Sequence, residues 1–182
     1  MYGLINKALK GMILERFGET QWEQVFQASG IPHDSFLTMR SYDDQLTFAL
    51  AGAASDVLGA PVEDCLEMFG EYWVREIASK AYAPLMDATG QDMVSFLANI
   101  NGLHDRITGT FLNYVPPEFE IEQIDDNRYS VHYISQRQGL TPFVVGLLKG
   151  LADRYECELQ ILSLASVDVE RGEHSVFEVR LQ

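Results

Sequence analysis

Three side chains close to residue 135 have the chemistry of an anion-binding site. The segment HYISQRQGL, residues 132–140, has the character of a β-strand, so Tyr133, Ser135 and Arg137 project from the same face. All three donate hydrogen bonds, and an arginine can hold a carboxylate through two parallel bonds. Such a face is poorly suited to a hydrophobic core. We therefore predict an anion clamp, with the solvated face of an antiparallel strand as the alternative.

His104 is a candidate metal ligand. It lies in a helical pattern beside Leu103, on an apolar stripe that includes Ile100, Ile107 and Phe111. A neutral imidazole on an apolar wall is a natural axial donor to a metal or to haem iron. The commoner alternative is a hydrogen-bonded core histidine, and His104 alone does not decide between them.

His104 and the clamp together favour a haem, because a haem needs both an axial ligand and groups that hold its propionates. The porphyrin also needs an apolar slot. Each residue that could line the slot is equally an ordinary core residue. These residues are Leu4, Ile5, Leu9, Met12, Trp73, Val74, Phe143, Val144 and Leu147.

Apolar residues at helical spacing predict that the first hundred residues are helical. We expect a first helix over 2–17, a second capped by Thr20, a third capped by Ser41 and a fourth from Pro61 to about Ser79. Residues 82–99 are expected to be helical with a break at Thr89-Gly90. A sixth helix is expected over NINGLHDRITGTFL, residues 99–112, which includes His104.

The pattern changes to period two after Pro116-Pro117. FEIEQI and RYSVHYISQR predict a β-hairpin, residues 141–155 a helix, and CELQILSLASV and EHSVFEVRL two further strands. Gly146 and Gly150 are best explained by close helix packing. We predict an α+β fold in one domain, residues 1–182. It would have a helical N-terminal lobe over about 1–60 and a lobe over about 61–182 with a four-stranded antiparallel sheet and packed helices.

Composition excludes several classes of protein. The 182 residues include 27 acidic and 13 basic ones, and the net charge of −14 argues against nucleic acid or an anionic membrane as a partner. No apolar run is long enough for a membrane span, and charged residues in the first helix argue against a secretory signal. Cys65 and Cys157 lie far apart, which disfavours a zinc site and suits a reducing cytoplasm. Common catalytic motifs, including GxSxG, HExxH and the P-loop, do not occur.

The chain resembles the H-NOX family, the haem nitric oxide/oxygen binding domains found in soluble guanylate cyclase and as stand-alone bacterial proteins. The resemblance is carried by His104 and by Tyr-x-Ser-x-Arg about 30 residues later, and it extends over essentially the whole chain. Further matching segments are MYG at the start, FGEYW at 69–73, NGLHDRI at 101–107, Pro116-Pro117, YISQR at 133–137 and GLLKGLA at 146–152.

The resemblance implies a ferrous b-type haem between the two lobes. His104 would be its proximal ligand, Tyr133, Ser135 and Arg137 would bind its propionates, and Pro117 would press on the porphyrin. Asp44 aligns with an acidic residue that pairs with the motif arginine in relatives. Some relatives also carry a structural zinc held by several cysteines and a histidine. This chain has only Cys157 in that region, so we expect no zinc.

The resemblance also implies how the protein signals. Nitric oxide would break the bond between the iron and His104, the haem would relax, and the N-terminal lobe would shift. The chain ends at Gln182 without a catalytic domain, so we expect no enzymatic activity of its own. Output would act in trans on a histidine kinase or a cyclic-di-GMP enzyme, as in relatives.

The distal residues indicate which gas is bound. Oxygen-binding relatives place a tyrosine where this chain has Pro142, and Phe143 and Val144 offer no hydroxyl either. Leu9 and Trp73 fall at the other distal positions. We therefore expect nitric oxide and carbon monoxide to bind and dioxygen to be excluded. Two alternatives remain, namely a reversible oxygen binder with Trp73 as hydrogen-bond donor, and a haem-free interaction module whose clamp binds a partner's carboxylate.

Overall fold

A computed structural model describes residues 1–109, 111 and 114–182. The chain divides into two compact units, Met1–Phe69 and Gly70–Gln182, where the sequence pattern placed the division near residue 60. The end of the sixth predicted helix, at Thr110 and Leu112, lies outside the described residues. None of the helices in the described part of the chain is long and apolar enough to cross a membrane.

The first unit is helical. It contains α1 (Gly3–Phe17), α2 (Glu19–Ser29), α3 (Asp44–Leu58) and most of α4 (Val62–Tyr72). Their apolar stripes meet in a core that includes Leu9, Met12, Ile13, Val25 and Leu50.

Two predicted helix caps in the first unit are wrong. α2 begins after Gly18, which has φ of 89°, and no side chain caps it, so Thr20 already lies inside the helix. α3 is capped by Asp43, whose carboxylate accepts a hydrogen bond from the Gln45 amide at 2.9 Å. Ser41 instead pairs with Tyr2 in an isolated β-bridge. Asp43 serves because its carboxylate reaches the first-turn amides from the residue just before the helix.

The second unit continues the helical segment and adds the sheet. After α4, the backbone takes a π-helical form over Trp73–Ala78, which the helical pattern could not distinguish from α-helix. It is followed by α5 (Ser79–Ala81), α6 (Ala83–Thr89) and α7 (Met93–Thr108). The predicted break at Thr89-Gly90 is confirmed. α7 starts at Met93 rather than at residue 99, because Asp92 and Ser95 form a reciprocal capping box there.

The four strands form one antiparallel sheet in the order β1-β2-β4-β3, which confirms the predicted α+β class. They are β1 (Glu118–Gln123), β2 (Arg128–Ser135), β3 (Leu159–Ser166) and β4 (Glu173–Leu181), and α8 (Thr141–Arg154) follows β2. Most side chains that form the core of this unit come from β2, β4, α7 and α8, and β1, α6 and the π-helical turn add one each. They include Leu97, Val131, Val144, Leu148, Phe177 and Val179.

Small residues let α8 pack closely against the segment that runs from Gly70 through the π-helical turn. A Cβ atom on Gly70 would lie 2.1 Å from the Phe143 carbonyl oxygen, and one on Gly150 would lie 2.7 Å from Val74 Cβ. Neither position has room for a side chain. The prediction that Gly150 serves close helix packing is confirmed, and Gly70 is its counterpart on the facing segment.

Candidate functional site

His104 lies on α7 with one ring nitrogen held by the backbone. Its Nδ1 is 3.2 Å from the carbonyl oxygen of Pro117, and since a carbonyl can only accept, Nδ1 carries the hydrogen and donates. The ring centroid lies 6.3 Å from those of Tyr114 and Phe119. The neutral imidazole therefore keeps the lone pair on Nε2, in an aromatic setting that fixes the ring orientation.

Burial keeps His104 neutral. Desolvation lowers the pKa of the imidazole, and the bond to Pro117 and the charge of Asp105 oppose that shift without reversing it. A neutral imidazole is the form that coordinates a metal. The environment of His104 thus provides the tautomer and the protonation state that an axial ligand needs.

Asn101, three residues before His104 on α7, ties the helix to the start of β1. Its Nδ2 donates to the Phe119 carbonyl at 2.7 Å, and its Oδ1 accepts from the Phe119 amide at 3.0 Å. This pair of bonds holds residues 117–119 beside His104. The sequence analysis missed Asn101. The available signal was its spacing, because residues three apart lie on the same face of a helix.

Tyr133 faces the core. It is 3% exposed, and its ring lies 5.4 Å from that of Phe119, which in turn adjoins His104. Ser135 on the same face is also buried. The alternative of a solvated strand face is therefore wrong, and so is the expectation that this face is unsuited to a core. Tyr133 can both pack in the core and donate a hydrogen bond to an anion, because its ring is apolar and only its hydroxyl needs a partner.

The clamp hydroxyl of Tyr133 is strongly perturbed. Desolvation raises its pKa to about 12, against the opposing effects of a hydrogen bond with Ser135 and the charge of Arg137. The same guanidinium acts on Tyr114, whose pKa burial raises. Tyr114, Tyr133 and Arg137 therefore lie within electrostatic reach of one another, and both phenols remain protonated donors at neutral pH.

Arg137 does not lie on the strand, although the alternating pattern predicted that it would. β2 ends at Ser135, and Arg137 lies in the turn beyond it. Its backbone amide donates to the Ser135 hydroxyl at 3.0 Å, and its Nη1 donates to the Val115 carbonyl at 2.9 Å. The three predicted clamp residues are brought together, with a turn rather than a pleat positioning the arginine.

Glu173, at the start of β4, is a second residue that the sequence analysis missed. Its carboxylate accepts hydrogen bonds from the Leu140 amide at 3.1 Å and from the Thr141 hydroxyl. Thr141 opens α8, the helix predicted to supply pocket residues. Nothing local in the sequence marks Glu173, because its partners lie more than 30 positions away.

The predicted pocket residues are divided between the two units. In the first unit, Leu9 is buried on α1. In the second unit, Val144 is buried and belongs to the sheet-facing core, while Trp73 begins the π-helical turn. Met12 on α1 and Val74 in the π-helical turn are also buried. The remaining predicted lining residues are half-buried, namely Leu4 and Ile5 on α1 and Phe143 and Leu147 on α8.

The donors around His104 and the clamp fit a metal-bearing group that also carries carboxylates. Nε2 of His104 supplies one neutral nitrogen donor, as haem iron requires of a protein ligand. Arg137, Tyr133 and Ser135 supply the hydrogen-bond donors that a propionate requires. His104 and Tyr133 flank the same ring, that of Phe119, so the two donor groups belong to one region of the second unit.

Comparison with known proteins identifies the family of the chain. Residues 2–163 match the family described as haem-NO-binding. The chain is 28% identical over 152 residues to a soluble guanylate cyclase of Caenorhabditis elegans, gcy-31, and 26% identical over 155 residues to soluble guanylate cyclase 89Db of Drosophila melanogaster. These alignments cover 84% and 85% of this chain but only 22% and 23% of the relatives. The chain thus spans less than a quarter of their length.

Solved structures share the fold. An H-NOX protein from S. oneidensis in the Fe(II) ligation state aligns with a TM-score of 0.87 at 21% identity, covering 100% of this chain and 96% of that one. An unliganded Fe(II) H-NOX protein mutant from K. algicida aligns with a TM-score of 0.84 at 19% identity, covering 100% and 97%. From the matching family and the shared fold together, the chain belongs to the haem-NO-binding (H-NOX) family of haem-based gas sensors.

Proposed function

We propose that this protein is a non-enzymatic sensor that binds nitric oxide and carbon monoxide at a five-coordinate ferrous b-type haem, with His104 as the proximal ligand. The observation that carries the proposal is the hydrogen bond from His104 Nδ1 to Pro117. It leaves Nε2 as the only nitrogen with a free lone pair, on a ring that burial keeps neutral. A haem held there would supply a ferrous iron able to bind a diatomic gas.

The anion clamp gives the haem its second attachment. Arg137 can form charge-assisted bonds with a propionate, and the hydroxyls of Tyr133 and Ser135 lie beside it as further donors. Pro117 has two roles in this proposal. Its carbonyl orients His104, and its ring would press on the porphyrin.

Exclusion of dioxygen rests on three residues near the start of α8 that have no hydroxyl donor. Pro142, Phe143 and Val144 have none. Two hydroxyl-bearing residues occur on or beside this helix, and both hydroxyls have partners elsewhere. Thr141 donates to Glu173, and Tyr155 donates to the Gly90 carbonyl at 3.2 Å. Bound dioxygen carries partial charge and gains from a donor, whereas nitric oxide binds tightly without one, so this helix favours nitric oxide.

The signal leaves the site through α7. Release of His104 by nitric oxide would act on α7, and Asn101 on the same helix would pass the change to β1 through its two bonds with Phe119. We propose that the output acts in trans, on a histidine kinase or a cyclic-di-GMP enzyme. The surface of a chain with a net charge of −14 suits a basic patch on such a partner.

Absorption spectra of the ferrous protein test the proposal. We expect a five-coordinate haem spectrum, a change to a five-coordinate nitrosyl spectrum with nitric oxide, and no stable oxygen complex in air. A stable oxygen complex would contradict the gas selectivity. If the protein took up no haem after expression with adequate haem, the haem-free interaction module would be favoured instead.

A substitution tests the role of His104. His104→Gly should lose the five-coordinate spectrum and regain it when free imidazole is added, because imidazole can occupy the space that the side chain leaves. The matched control is His33→Gly, since His33 is an exposed histidine in the first unit. Unchanged spectra for His104→Gly would refute the ligand assignment.

A further inference from the structure

The carboxylate of Glu173 caps the start of α8 from another element. One oxygen, Oε2, accepts from the Leu140 amide at 3.1 Å, and Oε1 accepts from the Thr141 hydroxyl. α8 has no acidic residue in its own first turn, and its N-cap residue, Leu140, makes no side-chain cap. A negative charge at a helix N-terminus satisfies free amides and complements the helix dipole. Glu173 therefore supplies from β4 what the helix sequence lacks.

The network continues into the sheet. The Thr141 hydroxyl lies 2.6 Å from the Ser175 hydroxyl, and Ser175 is 0% exposed. Because the Thr141 hydroxyl donates its only hydrogen to Glu173, the Ser175 hydroxyl donates to Thr141, and this bond gives the buried Ser175 hydroxyl the partner that it needs. The first residue of α8 is thus fixed by two side chains of β4.

Glu173 also lies beside the anion clamp. It pairs with Ser135 across the β2–β4 ladder, so the last residue of β2 and the first of β4 are neighbours. The charges of Glu173 and Arg137 act in opposite directions on the Tyr133 hydroxyl. One carboxylate therefore adjoins the clamp on one side and the first turn of α8 on the other.

The turn before β4 is seated against the clamp turn. Gly172 has φ of +82°, and a Cβ there would lie 2.0 Å from the Ser135 carbonyl oxygen. The Gln138 side-chain amide donates to the Gly172 carbonyl at 3.0 Å. This close approach requires glycine, and it brings residues 135–138 against the backbone that carries Glu173.

We propose that Glu173 is a positioning residue that ties the anion clamp to the first turn of α8, so that both keep one arrangement. The inference rests on the proposed haem-binding function, in which the clamp holds propionates and α8 lines the gas side. Loss of the carboxylate frees the α8 start, and the turn bearing Arg137 loosens with it. Glu173 contacts neither the iron ligand nor the gas, and it acts through Leu140, Thr141 and the clamp turn.

Three variants test the tie. Glu173→Ala removes both acceptors, Glu173→Gln keeps an oxygen for the Leu140 amide without the charge, and Glu170→Ala removes an exposed carboxylate three residues earlier in the same turn. The rate at which haem transfers to an excess of a haem-scavenging globin measures how firmly the clamp residues hold it. The C–O stretching frequency of the carbon monoxide complex measures the pocket beside α8.

We expect Glu173→Ala to lose haem about tenfold faster, as the loss of a hydrogen bond to a charged group implies. Its C–O stretch should shift or broaden. Glu173→Gln should restore most of the haem retention, and Glu170→Ala should match the parent protein. If Glu173→Ala kept the parental haem dissociation rate and C–O stretch, the tie would be refuted, even with a lowered melting temperature.

Amide hydrogen exchange gives a readout that needs no haem. In Glu173→Ala, the Leu140 amide loses its own partner and must exchange faster. The deciding amide is that of Arg137, which donates to Ser135 and not to Glu173. Faster exchange at Arg137 supports the tie, and unchanged exchange there overturns it. A parent protein that bound no haem would refute the proposed function, while Arg137 exchange would still decide the tie.

Thr141→Val provides the same comparison with a milder change. It removes the hydroxyl between Glu173 and Ser175 and keeps the carboxylate at the Leu140 amide. We expect faster Arg137 exchange and faster haem loss than in the parent, both smaller than in Glu173→Ala. Parental values of both quantities in Thr141→Val would overturn the proposal, even if Glu173→Ala did not fold.

Discussion

Asn101→Ala is the substitution that best tests how His104 is positioned. Asn101 makes two hydrogen bonds with the backbone of Phe119, donating at 2.7 Å and accepting at 3.0 Å. Phe119 is 6% exposed and lies two residues after Pro117, whose carbonyl orients His104. Alanine at position 101 leaves the Phe119 amide and carbonyl without these partners, in a place that water reaches poorly.

The expected cost follows from those two bonds. Each net hydrogen bond is worth about 1 kcal/mol, and a buried polar group left unpaired costs about 1–3 kcal/mol. Asn101→Ala should therefore lower the free energy of unfolding by about 2–4 kcal/mol. Asn101→Asp should also destabilise the protein. Its carboxylate can accept from the Phe119 backbone N–H, but it repels the Phe119 carbonyl oxygen, to which the Asn101 side chain now donates.

Urea unfolding of the haem-free proteins, followed by circular dichroism, measures these differences. The matched control is Asn99→Ala on the same helix, since Asn99 is exposed and donates to the carbonyls of Thr89 and Ser95. We expect the control to cost less than about 1 kcal/mol. In the haem-bound form, Asn101→Ala should also weaken the iron–histidine bond, which resonance Raman spectroscopy measures directly.

Two results would contradict this reasoning. If Asn101→Ala and Asn99→Ala lowered the free energy of unfolding equally, the bonds of Asn101 to Phe119 would stabilise the fold no more than the exposed bonds of Asn99 do. If Asn101→Ala destabilised the protein but left the iron–histidine frequency unchanged, residues 117–119 would not position His104.

Three further predictions concern the clamp and the helix packing. Since the folded-state pKa of Tyr133 is raised from 10.0 to about 12, its stabilisation is complete below pH 10 and is lost as pH rises through 12. In Tyr133→Phe the free energy of unfolding should therefore fall less steeply between pH 10 and pH 12, and the tyrosinate absorbance should lack the transition that occurs at the highest pH. Gly70→Ala should destabilise by about 1–3 kcal/mol in thermal unfolding, whereas Gly102→Ala, at an open helical position, should stabilise by about 0.5–1 kcal/mol. Arg137→Ala should release haem about ten- to a hundredfold faster, with parental rates in Arg128→Ala, whose side chain pairs with Asp125 and Glu178. Equal rates in the two arginine variants would remove Arg137 from the clamp.

Local patterns predicted much of the fold. The helices of the first unit, the hairpin after Pro117 and the two last strands all follow from side-chain periodicity, which depends only on neighbours in sequence. The predictions were wrong where one local pattern is compatible with more than one structure. Ser41 and Asp43 are both good helix caps, and only the backbone path of α3 selects Asp43. The π-helical turn at Trp73 has no periodicity distinct from that of an α-helix over so few residues.

The sequence by itself determined which chemistry the site could have, because a histidine on an apolar helix and a Tyr-x-Ser-x-Arg segment are local features. Tertiary structure decided how that chemistry is arranged. The free nitrogen of His104 depends on a carbonyl 13 residues away, and the start of α8 depends on a carboxylate more than 30 residues away. Hydrogen bonds act over about 3 Å in space and have no fixed separation along the chain, so no spacing rule could reveal Phe119 as the partner of Asn101, or Thr141 as the partner of Glu173.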